Sequence, residues 1–212
     1  MSLDLFVDTS RKGISIALAG NDSSLYEEII NPEAKGDTLS KALDDILAKA
    51  GAKLDDILRV MVTVGPGSFS GLRTGVAFCQ GICFSGARKL YGVSTLQALG
   101  CFAKEKDTSK VAVLIRARNG YWYLRLNDSE KFIETEDALK ELRQAGIREI
   151  VMDDTAMKDE AVQKFASENS IACTLDVGKP LTAWASLFDS VAPSLIQEAN
   201  YIQPSYFEKL QK

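Results

Sequence analysis

Between residues 60 and 86 the chain reads VMVTVGPGSFSGLRTGVAFCQGICFSG, an apolar run that meets a glycine-rich turn and then repeats small residues at four-residue spacing. Turns of this kind hold a phosphate on free backbone N–H groups or expose a nucleophile. Three versions of that chemistry fail on named residues. A phosphate loop starting at Gly65 needs Gly-Lys-Ser/Thr after four residues, but Ser70 stands at the glycine position and the next lysine is Lys89. In a dinucleotide fingerprint built on Gly65 and Gly67 the third glycine, Gly71, falls one residue late, and Val93-Ser94-Thr95 closes the next strand where an acid is required. A nucleophile elbow would place serine midway between its glycines, yet Phe69 is midway between Gly67 and Gly71. The chain has no histidine, which excludes a Ser-His-Asp or Cys-His relay. What survives is weaker: a helix N-terminus at Ser68–Ser70 whose N–H groups could hold an anion, or a sharp turn at Gly65-Pro66-Gly67 with Ser68 or Ser70 capping the helix.

The helix after the turn carries Gly71, Gly75, Cys79, Cys83 and Ala87 at every fourth position, a stripe with almost no side-chain bulk. Small residues at i and i+4 let another backbone approach closely. Either the stripe lies against its own sheet or it forms a groove for a partner helix, and the expected partner interface is Gly71, Gly75, Cys79 and Cys83. The chain's four cysteines (Cys79, Cys83, Cys101 and Cys173) show no Cys-x-x-Cys pair, so buried reduced thiols are expected rather than a metal or redox site.

The elements that position this turn follow from hydrophobic periodicity. LDLFVD (3–8), Gly13–Leu18 and a run from Ser23 predict three strands, the last two joined near Asn21–Asp22. Leu39, Ala42, Leu43, Ile46, Leu47 and Ala50 fall on one helical face, with Asp37 or Thr38 as N-cap and Gly51 as stop. Arg59–Val64 predicts a strand, followed by the turn, a helix to about Ala87, a strand at Leu90–Val93 and a helix from Thr95 to about Lys104. Two strands around Asn119–Gly120 then restart the theme, because both residues tolerate positive φ. A helix from Glu136, a strand at Glu149–Met152, a helix from Lys158, a strand near Ala172–Asp176 and a last helix over Thr182–Glu198 complete it. The expected division is an N-terminal domain at 1–104 and a smaller one at 105–212, with the last helix packing back toward the first.

With 46% hydrophobic and 25% charged residues the 212-residue chain can bury a sizeable core. No apolar run reaches the roughly 20 residues that span a bilayer. MSLDLFVDTS lacks the basic start of a signal peptide, so a cytoplasmic location is expected, with no membrane contact. Residues 1–100 hold ten Lys/Arg against eleven Asp/Glu and the remainder fifteen against eighteen, so neither half is a basic module. If RNA is involved, another protein supplies most of the contacts.

GPGSFSGLRTG at 65–75 closely resembles the glycine signature of the TsaB (YeaZ) family, which takes part in threonylcarbamoyladenosine biosynthesis on tRNA. The resemblance extends to Asp8-Thr9-Ser10, to Gly92–Leu96, to Ala117-Arg118-Asn119-Gly120 with Tyr121–Tyr123, and to Pro204 and Tyr206. It implies an α/β fold of two actin-like (ribonuclease-H-like, sugar-kinase superfamily) domains with mixed sheets. It implies a non-catalytic scaffold, an inactive relative of TsaD, that binds TsaD through its N-terminal domain and joins the ATPase TsaE. It further implies possible self-association through the same helices, contact with tRNA only indirectly, and neither cofactor nor metal of its own. In an actin-like fold the first-strand aspartate, here Asp8, faces a metal–phosphate group, which makes Asp8 and Ser70 candidate anion or nucleotide contacts, or makes Asp8 a turn-capping carboxylate. Ser70 and Thr74 depart from the family signature, and EAKGDTL (33–39) lacks the histidine many relatives carry before the first helix. The competing reading is an independent nucleotide-dependent enzyme of this fold, a small kinase, with Asp153 or Asp154 as base. A peptidase is disfavoured because the histidine metal ligands are missing.

Overall fold

In the computed structural model, which describes residues 2–11, 13–20, 25–30, 38–118, 120–176 and 180–202, the chain forms two five-stranded mixed sheets. The first uses β1 (Leu3–Asp8), β2 (Ile14–Gly20), β3 (Leu25–Ile30), β4 (Ile57–Gly65) and β5 (Lys89–Ser94), in the order β3-β2-β1-β4-β5. The second uses β6 (Val111–Arg118), β7 (Tyr121–Leu126), β8 (Ser129–Glu134), β9 (Glu149–Met152) and β10 (Ala172–Leu175), in the order β10-β9-β6-β7-β8. Each sheet therefore starts with a three-strand antiparallel meander and adds two parallel strands beside the first. The internal repeat is one of topology. This is the actin-like α/β fold with mixed sheets that the resemblance implied.

The chain divides into two compact units. One is Met1–Thr95 with Pro180–Asn200; the other is built on Leu96–Lys179. In the first, α1 (Thr38–Ala50) buries Leu39, Ala42, Leu43, Ile46 and Leu47, the face read from the sequence, and Gly51 ends it with φ +63°. Helix α2 (Phe69–Cys83) joins α1 on one face of the sheet, meeting Leu3, Leu5, Val7, Val60 and Val62. On the opposite face Phe188 packs edge-on to Tyr91 and tilted on Phe6, with the Arg59 guanidinium 4.1 Å from its ring centre. Arg59 is fixed there by both carboxylate oxygens of Asp4, at 2.7 and 2.5 Å.

In the second unit α4 (Thr135–Ala145), α5 (Asp154–Met157) and α6 (Glu160–Glu168) enclose Trp122, Leu124, Ile150 and Met152. Glu149, buried in β9, has no cationic partner among the described residues. Its carboxylate instead accepts the Lys104 and Glu105 N–H groups and the Thr174 hydroxyl (2.5 Å), pinning the segment that follows α3 (Thr95–Gly100). Nothing in the strand EIVM marks this role except an acid among apolar residues.

Several expectations are corrected. The helix after the glycine turn stops at Cys83, not near Ala87: Gly86 takes φ +77°, and the Arg88 guanidinium donates to the Ile82 carbonyl, to the Leu54 carbonyl and to the Asp55 carboxylate. The helix from Thr95 is one short turn and a half, to Gly100. The helix expected from Lys158 begins at Glu160, where Asp159 caps the Ala161 and Val162 N–H groups, and a short helix before it, capped by Asp153 on the Ala156 N–H, was not anticipated. Strand β8 was missed, although Asn127 and Asp128 at positive φ form the tight turn before it. The last helix is a 3-10 segment at Leu181–Asp189, followed by a non-helical path. Pro193 explains this, lacking an N–H and disfavouring helical geometry at Ala192. The turn at Asn21–Asp22, the cap at Asp37, the departure at 33–37, the hairpin residue Asn119, and Pro204 and Tyr206 lie outside the described residues.

Candidate functional site

The glycine turn joins β4 to α2 directly beside the end of β1. Ser68 is the N-cap and its hydroxyl accepts the Gly71 N–H at 3.3 Å, while the Ser68 N–H donates to the Ser10 carbonyl at 2.6 Å. The glycines are there because backbone lies against backbone. A Cβ on Gly67 would sit 2.1 Å from the Ser10 carbonyl oxygen, and one on Gly71 would sit 2.1 Å from that of Thr9. One on Gly75 would meet the Thr9 hydroxyl at 2.1 Å. Gly65, at φ +121°, faces the Asn200 carbonyl, and the Asn200 N–H donates to Val64 at 2.6 Å. The chain's own backbone thus fills the space on both sides of the turn. Ser70 is exposed, and its carbonyl accepts the Thr74 hydroxyl.

Asp8 ends β1 in a buried pocket. One oxygen accepts from the Ser10 N–H (2.9 Å), the Ser10 hydroxyl (2.6 Å) and the Thr63 hydroxyl (2.8 Å); the other accepts from Arg11 (3.0 Å). Burial alone would raise its pKa, but the Arg11 charge and the Ser10 hydrogen bonds outweigh that and hold the carboxyl below its usual value. Sequence reasoning singled out Asp8 and overlooked Thr63, because a cross-strand partner 55 residues away leaves no local pattern, and it read Arg11, three residues on, only as part of the turn. In the second unit Asp153 is committed to capping α5 (2.7 Å to Ala156 N–H). No group of three or more metal-binding side chains occurs among the described residues, and no helix among them is long and apolar enough to cross a membrane.

The small-residue stripe does not lie where the partner-groove expectation placed it. Gly75, Cys79 and Cys83 are buried in the first unit's own core beneath β1 and β4, and Gly71 abuts Thr9, so the stripe seats α2 on its own sheet. The face that α2 leaves open is the opposite one. It carries Phe69 (56% exposed), with the Arg73 guanidinium 4.0 Å from its ring centre, then Ala77, Gly81 and Phe84 (80% exposed).

Burial raises the Cys79 thiol pKa far up and pushes that of Cys83 to about 11, with Arg88 opposing the latter. In the native protein at mildly alkaline pH, Cys101 and Cys173, both half-buried, are therefore expected to react with a thiol reagent well before Cys79 and Cys83. All four should react within the dead time once the chain is unfolded, as mass spectrometry of timed aliquots would show. Early labelling of Cys79 would contradict the packing described.

The two units, each a three-strand meander with two added parallel strands and facing helices, define a two-domain actin-like protein whose glycine turn is packed against its own chain. The family model described as TsaD, tRNA N6-adenosine threonylcarbamoyltransferase, matches residues 33–190. The chain belongs to that family, and several curated relatives that it matches are named TsaB. It is 33% identical over 122 residues to the tRNA threonylcarbamoyladenosine biosynthesis protein TsaB of Escherichia coli, a match covering 56% of this chain and 52% of that protein. The TsaB of Haemophilus influenzae is 26% identical over 183 residues, covering 86% of this chain and 72% of the relative. The chain thus spans about half the length of the E. coli relative that it matches. Among solved structures, a Pseudomonas aeruginosa protein described as similar to peptidase YeaZ superposes with a TM-score of 0.72 at 22% identity, covering 96% of this chain and all of the other. That likeness shows the fold.

Proposed function

We propose that this protein is a non-catalytic scaffold subunit in the threonylcarbamoylation of adenosine in tRNA, acting in the cytoplasm by binding a TsaD-type subunit and, through it, a TsaE-type ATPase. The observation that carries the reading is the internal use of Asp8. The carboxylate that would face a metal–phosphate in an actin-like kinase is saturated by Ser10, Thr63 and Arg11. Of the two bases a kinase reading would offer, Asp153 is used as a helix cap and Asp154 is exposed beside Lys158. The names of the relatives supply the pathway. The test is co-purification with the TsaD-type protein of the same organism, then a tRNA modification assay with and without this chain; modification that is indifferent to its presence would sink the proposal.

The partner-facing surface in this proposal is the open face of α2, not the buried stripe. Phe84→Asp and Ala77→Trp should each weaken association with the TsaD-type subunit by about tenfold or more, as loss of a central apolar contact does. Both sites are exposed, so the melting temperature should stay within about 2 °C of the parent. Unchanged affinity in titration calorimetry would remove α2 from the interface.

A further inference from the structure

In the second unit, the face of the β7–β8 hairpin opposite the Trp122–Leu124 core gathers planar side chains. In β7, Tyr121, Tyr123 and Arg125 point away from the Trp122–Leu124 core face, and their register partners in β8 are Glu134, Phe132 and Glu130. Tyr121 and Phe132 stack with ring centres 4.8 Å apart and planes 4° from parallel, and Tyr123 leans on Phe132 at 5.7 Å. The exposed Arg118 guanidinium lies 4.6 Å from the Tyr121 ring centre and 5.3 Å from that of Phe132. Among the described residues Arg118 forms no ion pair, whereas Arg116 and Arg125 are paired with Asp159 and Glu130. The three rings are half-buried.

We propose that this face is a stacking platform for unpaired bases of an RNA loop. The inference rests on the functional reading above. The chemistry named for the family is transfer to N6 of adenosine, and N6 is the group adenine uses to pair, so the acceptor base must be unpaired and drawn from its stack. The bases flanking it lose stacking partners. Proteins that read single-stranded RNA offer them aromatic rings and arginine planes on a sheet surface. Tyr121, Phe132 and Arg118 form such an assembly, with the exposed Arg118 guanidinium close to both rings. With a net charge of −4 the chain supplies little phosphate attraction. Its contribution is stacking, and the electrostatic grip on the rest of the RNA belongs to another subunit.

The test uses the full chain and two fluorescent RNAs, a stem-loop with an unpaired adenosine-containing loop and the blunt duplex of the same stem, titrated by anisotropy at low salt, with aromatic NMR shifts recorded for the rings. The platform predicts binding of the loop, no comparable binding of the duplex, and shifts at Tyr121, Tyr123 and Phe132. Phe132→Leu, which keeps apolar bulk but removes the π-face, should weaken loop binding about tenfold; Arg118→Lys, which keeps the charge but loses the plane, should weaken it several-fold. Melting temperatures of both variants verify that the sheet is intact, and Tyr121→Leu repeats the test if either unfolds. Equal binding of duplex and loop, no binding of the loop by the parent chain, or unchanged binding in the variants would each overturn the platform. So would loss of TsaD-type binding in Phe132→Leu with RNA binding unaffected, which would make the face a protein contact. Failure of the scaffold reading is distinguishable: there the TsaD-type subunit fails to associate while the loop RNA still binds.

Discussion

Gly71→Ala should lower the melting temperature by roughly 4–8 °C, while Gly81→Ala, in the same helix, should raise it slightly. Both substitutions replace glycine inside α2, and helix propensity alone favours alanine by about 1 kcal/mol at each. At Gly81 nothing lies within 4 Å of the added methyl, so the propensity gain stands, worth about 2–4 °C in a chain of this length. At Gly71 the methyl would lie 2.1 Å from the Thr9 carbonyl oxygen, a backbone atom at the end of β1 that cannot rotate away. Either α2 must lift from the sheet or β1 must bend. Overpacking of this kind costs about 3 kcal/mol, the upper part of its usual range, and outweighs the propensity term threefold. Gly75→Ala should fall between, because its clash is with the Thr9 side chain. Differential scanning calorimetry on the three variants decides the matter. A Gly71→Ala protein as stable as the parent would mean that α2 does not rest on β1 as described.

That contrast also marks how far the sequence carried. The recurrence of Gly71, Gly75, Cys79 and Cys83 was visible, and so was its meaning, close approach of another backbone. Which backbone was not visible, since a bulk-free stripe is the same whether it meets a partner helix or Thr9, 62 positions earlier for Gly71. Elements with strong periodicity came out well: β1 and β9 have the boundaries read from the sequence, and the five buried positions of α1 were all anticipated. Elements set by single residues did not. The Asn127-Asp128 turn that creates β8, the Asp153 cap that opens the short α5, and Pro193 that excludes a last helix were each present and were outweighed by a longer apolar pattern. The candidate site was least legible where its parts come from different strands. Asp8 could be named, but Thr63, which holds it from β4, could not, because pairing of β1 with β4 is a fact of sheet order.

Asp8 offers the sharpest separation between a structural and a catalytic carboxylate. Asp8→Ala would leave the Ser10 N–H, the Ser10 and Thr63 hydroxyls and the Arg11 guanidinium without their common acceptor. Removing one member of a buried charge pair costs about 3–5 kcal/mol, and the lower figure applies because Arg11 remains 26% exposed and is partly screened. The melting temperature should fall by about 6–12 °C at neutral pH. The pH dependence has a definite sign. The folded-state pKa of Asp8 lies below its unfolded value of about 3.9, so its stabilisation is complete above that value and is lost as pH falls through the folded pKa. The stability gap between the parent and Asp8→Asn should therefore be constant from about pH 5 to about pH 8, well above about 3.9, and should close in stronger acid. Function supplies the second arm. For a scaffold, Asp8→Asn assayed below its own melting temperature should still support modification by the TsaD-type subunit, since the lost group touches only its own chain. Nucleotide hydrolysis by the parent that vanishes in a folded Asp8→Asn variant would instead place Asp8 at a phosphate, and the kinase reading would replace the scaffold.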